Sequence, residues 1–204
     1  MLKIQSVADL QVGDVGFGMV AGRVAPAFVS FGQWMIDAAN LLHGRTSEQS
    51  WFTHTWIVAA MADPGGLENR SVQIVEAMPR GARSVWLKGH DRIGPGYGWA
   101  RLDAIVPERW PVTALAIGNA ARGYIGTPYS FLDYASLALL HLGLPRRLTA
   151  KRVTDSGHMI CSQLVDTVLT RAGVHLFQDG RLPQDVTPGA LFQRCGALGE
   201  VCWW

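Results

Sequence analysis

The amino-acid sequence predicts a single α+β domain in which a small antiparallel sheet packs against a helical half. Segments with strand-like patterns dominate the first half of the chain, and helix-like segments follow one another after residue 110. Strict alternation of strands and helices would instead predict a parallel sheet. The 204 residues, 49% hydrophobic and 17% charged, suit one hydrophobic core, so the domain is expected to cover residues 1–204.

Five segments are predicted to be strands because β-branched and aromatic residues alternate there between turn signals. The first follows the turn at Gly13-Asp14. The second and third are separated by the turn-rich run Asp63-Pro-Gly-Gly66, so they are expected to form a hairpin. The first strand, with the turn before it, lies within residues 10–20, and the other four cover residues 52–61, 71–77, 83–87 and 98–105.

Four segments are predicted to be helices, at residues 26–42, 111–125, 130–142 and 159–172. The first has Pro26 near its start and Gly44 beyond its end, and the last ends before Gly173. One polar stripe runs along helix 26–42 and the rest of its surface is apolar. That helix is therefore either plain core or a lid or lipid-facing element, which keeps membrane or lipid contact open.

Charge and termini argue against several classes of function. A net charge of +2 gives no footprint for nucleic acid. The basic run at residues 146–152 is either a solvated loop or a site for an anionic partner. The first ten residues lack the pattern of a secretory signal, and no apolar window is long enough for a transmembrane helix, so a cytoplasmic location is the default expectation.

The cysteines and histidines indicate reduced thiols and no metal site. Three cysteines are an odd number, which argues against a disulfide framework, although Cys195 and Cys202 could pair. The chain contains no Cys-x-x-Cys or His-Glu-x-x-His spacing, so no metal is expected. Its glycine runs lack the features of a phosphate-binding loop, so no cofactor is expected either.

The strongest chemical signal is Cys161, which stands at the predicted start of helix 159–172. The positive end of a helix favours the thiolate form of a cysteine. On the predicted hairpin, His54 and Glu76 face the same side, so the Glu76 carboxylate can accept the Nδ1 hydrogen of His54 and leave Nε2 as the base. Taken singly, each of these residues also fits a structural role in the core.

Together the three residues predict nucleophilic catalysis through an acyl-thioester. Cys161 would attack a carbonyl carbon, His54 would transfer the proton, and Glu76 would stabilise the imidazolium. Backbone N–H groups at the helix start, together with a side-chain donor, would bind the oxyanion.

Several short motifs resemble those of NlpC-type papain-like cell-wall peptidases. They are Gly126-Thr-Pro-Tyr129, then Cys161-Ser-Gln-Leu-Val165, then the Thr-Pro-x-x-Leu turn of Asp185-Val-Thr-Pro-Gly189-Ala-Leu. Here His54 and Glu76 precede the cysteine, an order similar to the circularly permuted, YaeF/YiiX type of papain-like amidases. The resemblance covers roughly residues 10–193. One departure is the absence of the Gly-Gly pair that follows the Pro-Tyr in unpermuted relatives.

The resemblance implies a permuted papain-like fold and assigns roles at the site. Cys161, His54 and Glu76 take the catalytic positions, and Tyr129 lines the site and could donate its hydroxyl to the oxyanion. Ser162, inside the Cys-Ser motif, is the second residue expected at the substrate or oxyanion position.

The implied function is a thiol hydrolase that cleaves an amide bond in a cell-wall peptide or an acylated amino acid. One alternative is an acyltransferase or lipid hydrolase of the lecithin-retinol-acyltransferase kind, which typically has a second histidine where this chain has Glu76. The observations that favour this alternative are the apolar helices predicted at 26–42 and 130–142 and the basic run at 146–152. The other alternative is a binding domain without catalytic activity.

Overall fold

A computed structural model describes residues 3–19, 52–63, 65–66, 69–105, 107–128 and 159–203. Several sequence predictions fall outside these residues. They are helix 26–42, helix 130–142, the basic run at 146–152 and the role of Tyr129.

Within the described residues, six strands make one antiparallel sheet with the order β4-β3-β2-β1-β5-β6. The α+β class with an antiparallel sheet is therefore confirmed. The strands are β1 Val15–Gly18, β2 His54–Ala62, β3 Ser71–Met78, β4 Gly81–Lys88, β5 Gly98–Arg101 and β6 Glu200–Trp203.

Three α-helices lie in the described part of the chain: α1 Trp110–Gly123, α2 Cys161–Arg171 and α3 Pro188–Leu198. Helices α1 and α2 confirm two of the predicted helices, with ends shifted by one or two residues. Helix α3 was not expected, because its first residues were interpreted only as a closing turn. The start signal is present in the sequence, since the Thr187 side chain accepts a hydrogen bond from Ala190 N and Pro188 occupies the first turn.

Two further differences concern the edge of the sheet. The predicted strand at 98–105 ends at Arg101, and a 3-10 turn at Asp103–Ile105 follows. Strand β6 was missed because it is only four residues long, and it forms by pairing with β5, with Cys202 opposite Trp99. A strand this short depends on its partner more than on its own pattern.

One face of the sheet packs against the helices and forms the larger part of the core. Helix α2 lies on β2 and β3, α1 lies on β2, and α3 lies on β5 and β6. Apolar side chains from both layers fill the space between them and exclude water. Among the fully buried ones are Phe17, Ile57, Val75, Leu164 and Leu191.

The opposite face of the sheet is covered by the N-terminal segment. A 3-10 turn at Val7–Asp9 is capped by Ser6 and hydrogen-bonds to the chain at Gly89 O through Val7 N, 2.8 Å. This second core is built largely from tryptophan and aliphatic side chains. It includes Ile4, Val7, Leu10, Trp56, Ile74 and Trp99.

The three cysteines are buried and free. Cys195 belongs to the core on the helical face, and Cys202 belongs to the core on the opposite face. The question of a Cys195–Cys202 disulfide is thereby answered, since both thiols are unpaired. None of the helices in the described ranges has the length and apolar character needed to cross a membrane.

Helix α1 approaches β2 closely because Gly118 has no side chain. A Cβ at this position would lie 2.4 Å from the carbonyl oxygen of Ala59. The Arg122 guanidinium, one turn further along the helix, donates to the same carbonyl at 2.7 Å. The register of α1 on the sheet therefore depends on a small residue at 118.

We predict that Gly118→Ala lowers the free energy of unfolding by about 1–3 kcal/mol, because the added methyl group must displace the helix from Ala59. Chemical denaturation measures the change. Gly123→Ala is the matched control in the same helix, since a Cβ there meets nothing within 4 Å. The control should leave stability unchanged or raise it by less than about 1 kcal/mol. Equal effects of the two substitutions would contradict this account of the packing.

Candidate functional site

The structure brings together the three residues that the sequence predicts as catalytic. His54 is the first residue of β2, Glu76 lies near the end of β3, and Cys161 is the first residue of α2. Because α2 packs along β2 and β3, its N-terminus reaches the end of the sheet where His54 lies. His54 lies opposite Gly18, the last residue of β1, so the site forms where the sheet ends.

His54 and Glu76 form a buried hydrogen bond, with Nε2 of the imidazole 2.8 Å from Oε2 of the carboxylate. The expectation that Nδ1 would face Glu76 is therefore wrong. The residue directly opposite Glu76 on β2 is Trp56, so the carboxylate reaches His54 along a diagonal and meets the far nitrogen of the ring. Nδ1 remains as the ring nitrogen available for exchange with Cys161.

The Cys161 side chain, at the start of α2, also interacts with His54. Burial lowers the pKa of His54, but the hydrogen bonds to Cys161 and Glu76 outweigh burial and raise the pKa to about 9. The ring therefore carries its proton at neutral pH. A protonated imidazole and a helix N-terminus both favour the thiolate form of a neighbouring cysteine.

Glu76 is completely buried, yet its carboxylate has a full set of charged partners. Oε2 accepts from His54 and from Arg92 Nη1, each at 2.8 Å. Oε1 accepts from Arg83 Nε at 3.0 Å, Arg83 Nη2 at 2.8 Å and Arg92 Nη2 at 3.2 Å. Burial alone would raise the pKa of Glu76, but the hydrogen bonds from His54 and Arg92 hold it well below its usual range.

Neither arginine was identified from the sequence. Arg83 lies directly opposite Glu76 in the β3–β4 hairpin, so it could have been found by recognising the tight turn between Met78 and Gly81. Arg92 lies in the connection between β4 and β5, and its approach to Glu76 depends on the path of that loop. No sequence pattern predicts such a path.

Trp56 forms a wall beside the imidazole, with the centroids of the two rings 5.6 Å apart. The indole lies against β1 because that strand has glycine at 16 and 18. A Cβ at Gly16 would be 2.0 Å from Trp56 Nε1, and one at Gly18 would be 2.9 Å from the same ring. The Gly-Phe-Gly pattern of β1 is thus required by the side chain that packs next to His54.

Ser162 does not supply a side-chain donor to the site. Its hydroxyl is buried and donates to the Val186 carbonyl at 2.5 Å, which ties the start of α2 to the segment before α3. The prediction of an oxyanion role for Ser162 can therefore hold only for its backbone N–H. The backbone N–H groups of Cys161 and Ser162 belong to the first helical turn, where no intrahelical acceptor exists.

Within the described ranges, no three histidine, cysteine or acidic side chains come together as a metal-binding group. In comparisons with known proteins, neither a protein-family model nor a curated sequence matches this chain. The resemblance to permuted papain-like amidases thus stays a prediction from short motifs, and the function has to be argued from the site itself.

We predict that His54 titrates near pH 9 in the native protein and that Glu76→Gln lowers its pKa by more than about one pH unit. The neutral amide no longer balances the imidazolium charge, while burial continues to oppose it. Histidine NMR signals recorded against pH measure both values. Because the native pKa lies above the unfolded value of about 6.5, His54 stabilises the fold fully below pH 6.5. That contribution disappears as the pH rises through 9.

A His54 signal that titrates near pH 6.5 in both proteins would contradict the proposed electrostatics of the site.

Proposed function

We propose that this protein is a thiol hydrolase that cleaves an amide bond through an acyl-enzyme at Cys161. The observation that supports this proposal is the set Cys161, His54, Glu76, in which the imidazole hydrogen-bonds to a buried carboxylate and interacts with a thiol at a helix N-terminus. A nucleophile, a proton carrier and a group that orients the carrier are the parts that acyl transfer requires.

The reaction begins with a Cys161 thiolate and a His54 imidazolium. The sulfur attacks the carbonyl carbon, and the electron pair of the C=O bond moves to oxygen, where backbone N–H groups at the start of α2 can bind the charge. As the C=O bond re-forms, the C–N bond breaks and the leaving amine takes the proton from His54. A thioester and a neutral imidazole remain.

In the hydrolysis step His54 acts as the base and Cys161 becomes the leaving group. Water attacks the thioester carbon while His54 accepts one of its protons, and collapse of the second tetrahedral intermediate breaks the C–S bond. The thiolate leaves and the carboxylic acid product is released. Glu76 keeps its hydrogen bond to Nε2 throughout, so Nδ1 is the nitrogen that would exchange the proton.

The acyl group is proposed to come from a cell-wall peptide or an acylated amino acid, as the motifs imply. The alternative of an acyltransferase or lipid hydrolase draws on helix 26–42, helix 130–142 and the basic run at 146–152, all outside the described residues. A buried carboxylate as the partner of His54 departs from that alternative, in which a histidine is typical. The intact set of cysteine, histidine and carboxylate weighs against a pure binding domain.

We predict that iodoacetamide labels Cys161 at least about tenfold faster than Cys195 or Cys202 near neutral pH, because thiolate character governs the rate. Exposure alone gives a different order, since Cys202 is 8% exposed, Cys161 1% and Cys195 0%. Burial also raises the pKa of Cys195 well above its ordinary value, so this thiol should react slowest. Peptide mass spectrometry after timed labelling gives the three rates.

The control for this measurement is His54→Ala, which should reduce Cys161 labelling at least about tenfold and leave the other two cysteines unchanged. Labelling in denaturant should make the three rates equal. If Cys202 reacts first in the native protein, exposure decides the rate and Cys161 is not the nucleophile.

The substrate class is tested by mixing the protein with muropeptides or with acyl lipids, quenching in acid and measuring the intact mass. We expect an acyl adduct on Cys161 with the peptide substrate, because a thioester is the proposed intermediate. Cys161→Ala in the same assay should show no acyl adduct, since the nucleophile is absent. An adduct with the lipid alone would favour the acyltransferase alternative. If Cys161 is labelled rapidly by iodoacetamide but neither substrate leaves an adduct, the substrate would be an amide of another class.

A further inference from the structure

Arg92, in the connection between β4 and β5, contacts both Glu76 and Trp56 beside the proposed site. We infer that Arg92 is a positioning residue for catalysis, which holds the Glu76 carboxylate against His54 and keeps it ionised through the whole reaction. This inference rests on the proposed function and extends it to a residue outside the Cys161, His54, Glu76 set.

The first support is the geometry of the guanidinium. Arg92 Nη1 donates to Oε2 of Glu76 at 2.8 Å and Nη2 donates to Oε1 at 3.2 Å. Oε2 is the oxygen that His54 also contacts. A planar guanidinium bound to both oxygens fixes the plane of the carboxylate, and so fixes the direction from which Oε2 meets the imidazole.

The second support is the way Arg92 itself is held. Its guanidinium carbon lies 4.4 Å from the centroid of Trp56, the ring that also lies beside His54. Its carbonyl accepts a hydrogen bond from Trp99 Nε1 at 2.9 Å. Two tryptophans from adjacent parts of the second core therefore fix the side chain and the backbone of this residue.

The third support is the backbone conformation at this position. Arg92 has φ of 56°, and within the described residues it is the one non-glycine residue with a positive φ. Glycine or asparagine would adopt this conformation at lower energy. An arginine kept in an unfavourable conformation indicates that its side chain is needed, and its partner is Glu76.

The charges around Glu76 explain what the residue would do during turnover. Three cationic groups face the carboxylate: His54 from β2, Arg83 from β4 and Arg92 from the β4–β5 connection. In the proposed cycle His54 gives up its proton to the leaving group, so its charge disappears for part of each turnover. A buried carboxylate without a permanent cation would then be prone to take up a proton.

Arg83 is the natural comparison because it also binds Glu76. It contacts only Oε1, and its side chain is 53% exposed, whereas that of Arg92 is 20% exposed. Water screens an exposed charge more strongly, so the influence of Arg83 on the carboxylate should be smaller. Loss of Arg83 also leaves the oxygen that meets His54 with both of its partners.

The experiment compares Arg92→Gln, Arg92→Asn, Arg92→Lys and Arg83→Gln in the full chain. The rate of Cys161 alkylation by iodoacetamide is measured against pH, and the Glu76 carboxyl is followed by carbon NMR. Asparagine tolerates the left-handed backbone and guards against a misfolded loop, and lysine restores the charge. Circular dichroism and thermal unfolding establish that each variant is folded.

In Arg92→Gln and Arg92→Asn, we expect the midpoint of the Glu76 titration to move to higher pH by at least about one unit. The low-pH limb of the Cys161 alkylation profile should move in the same direction by a similar amount. Arg83→Gln should move them by less than half as much. Arg92→Lys should return the acid limb toward the native position. A merely structural role would lower the rate by one factor at all pH values and leave the Glu76 titration unchanged.

Equal shifts in Arg83→Gln and Arg92→Gln, or no shift in folded Arg92 variants, would overturn the inference. Failure of the proposed function gives a different result, namely slow labelling of Cys161 in the native protein. The Glu76 titration then still decides whether Arg92 keeps the carboxylate charged.

Discussion

The proposed site depends on one buried carboxylate. Glu76 is wholly inside the protein, and an isolated charge there would be very unfavourable. It is retained because His54, Arg83 and Arg92 donate five hydrogen bonds to its two oxygens. The imidazole and both guanidinium groups are in turn fixed by this carboxylate. Removing Glu76 would leave the buried His54 and the partly buried Arg92 without their common partner, so the stability of the fold and the proposed chemistry both depend on this carboxylate.

The sheet supplies the positions of these groups through its register. Trp56 lies opposite Glu76, and the glycines of β1 leave room for its indole ring. The same ring contacts His54 on one side and the Arg92 guanidinium on another. The two cores of the protein thus position different groups of the proposed site. The helical face carries α2 and brings Cys161 to the end of the sheet, and the opposite face holds the groups that set the charge of His54.

Much of the fold could be predicted from local patterns. The strand at Ser71–Met78 and the helix at Cys161–Arg171 have clear periodicity and clear end signals, so their limits were found to within a residue or two. Strand β6 lacks such a signal and exists because β5 offers an unpaired edge. The shorter extent of β5 has the same origin, since the chain turns at Asp103 as soon as the pairing partner ends.

The sequence by itself predicted that Cys161, His54 and Glu76 belong together, because the strand period puts His54 and Glu76 on one face and the motif resemblance adds the cysteine at the helix start. Only the tertiary structure decided which histidine nitrogen faces Glu76, since that follows from the diagonal register of β2 and β3. It also committed the Ser162 hydroxyl to Val186 and brought Arg92 to the carboxylate. Such contacts join residues far apart along the chain, and their geometry depends on loop paths and packing distances that no local pattern encodes.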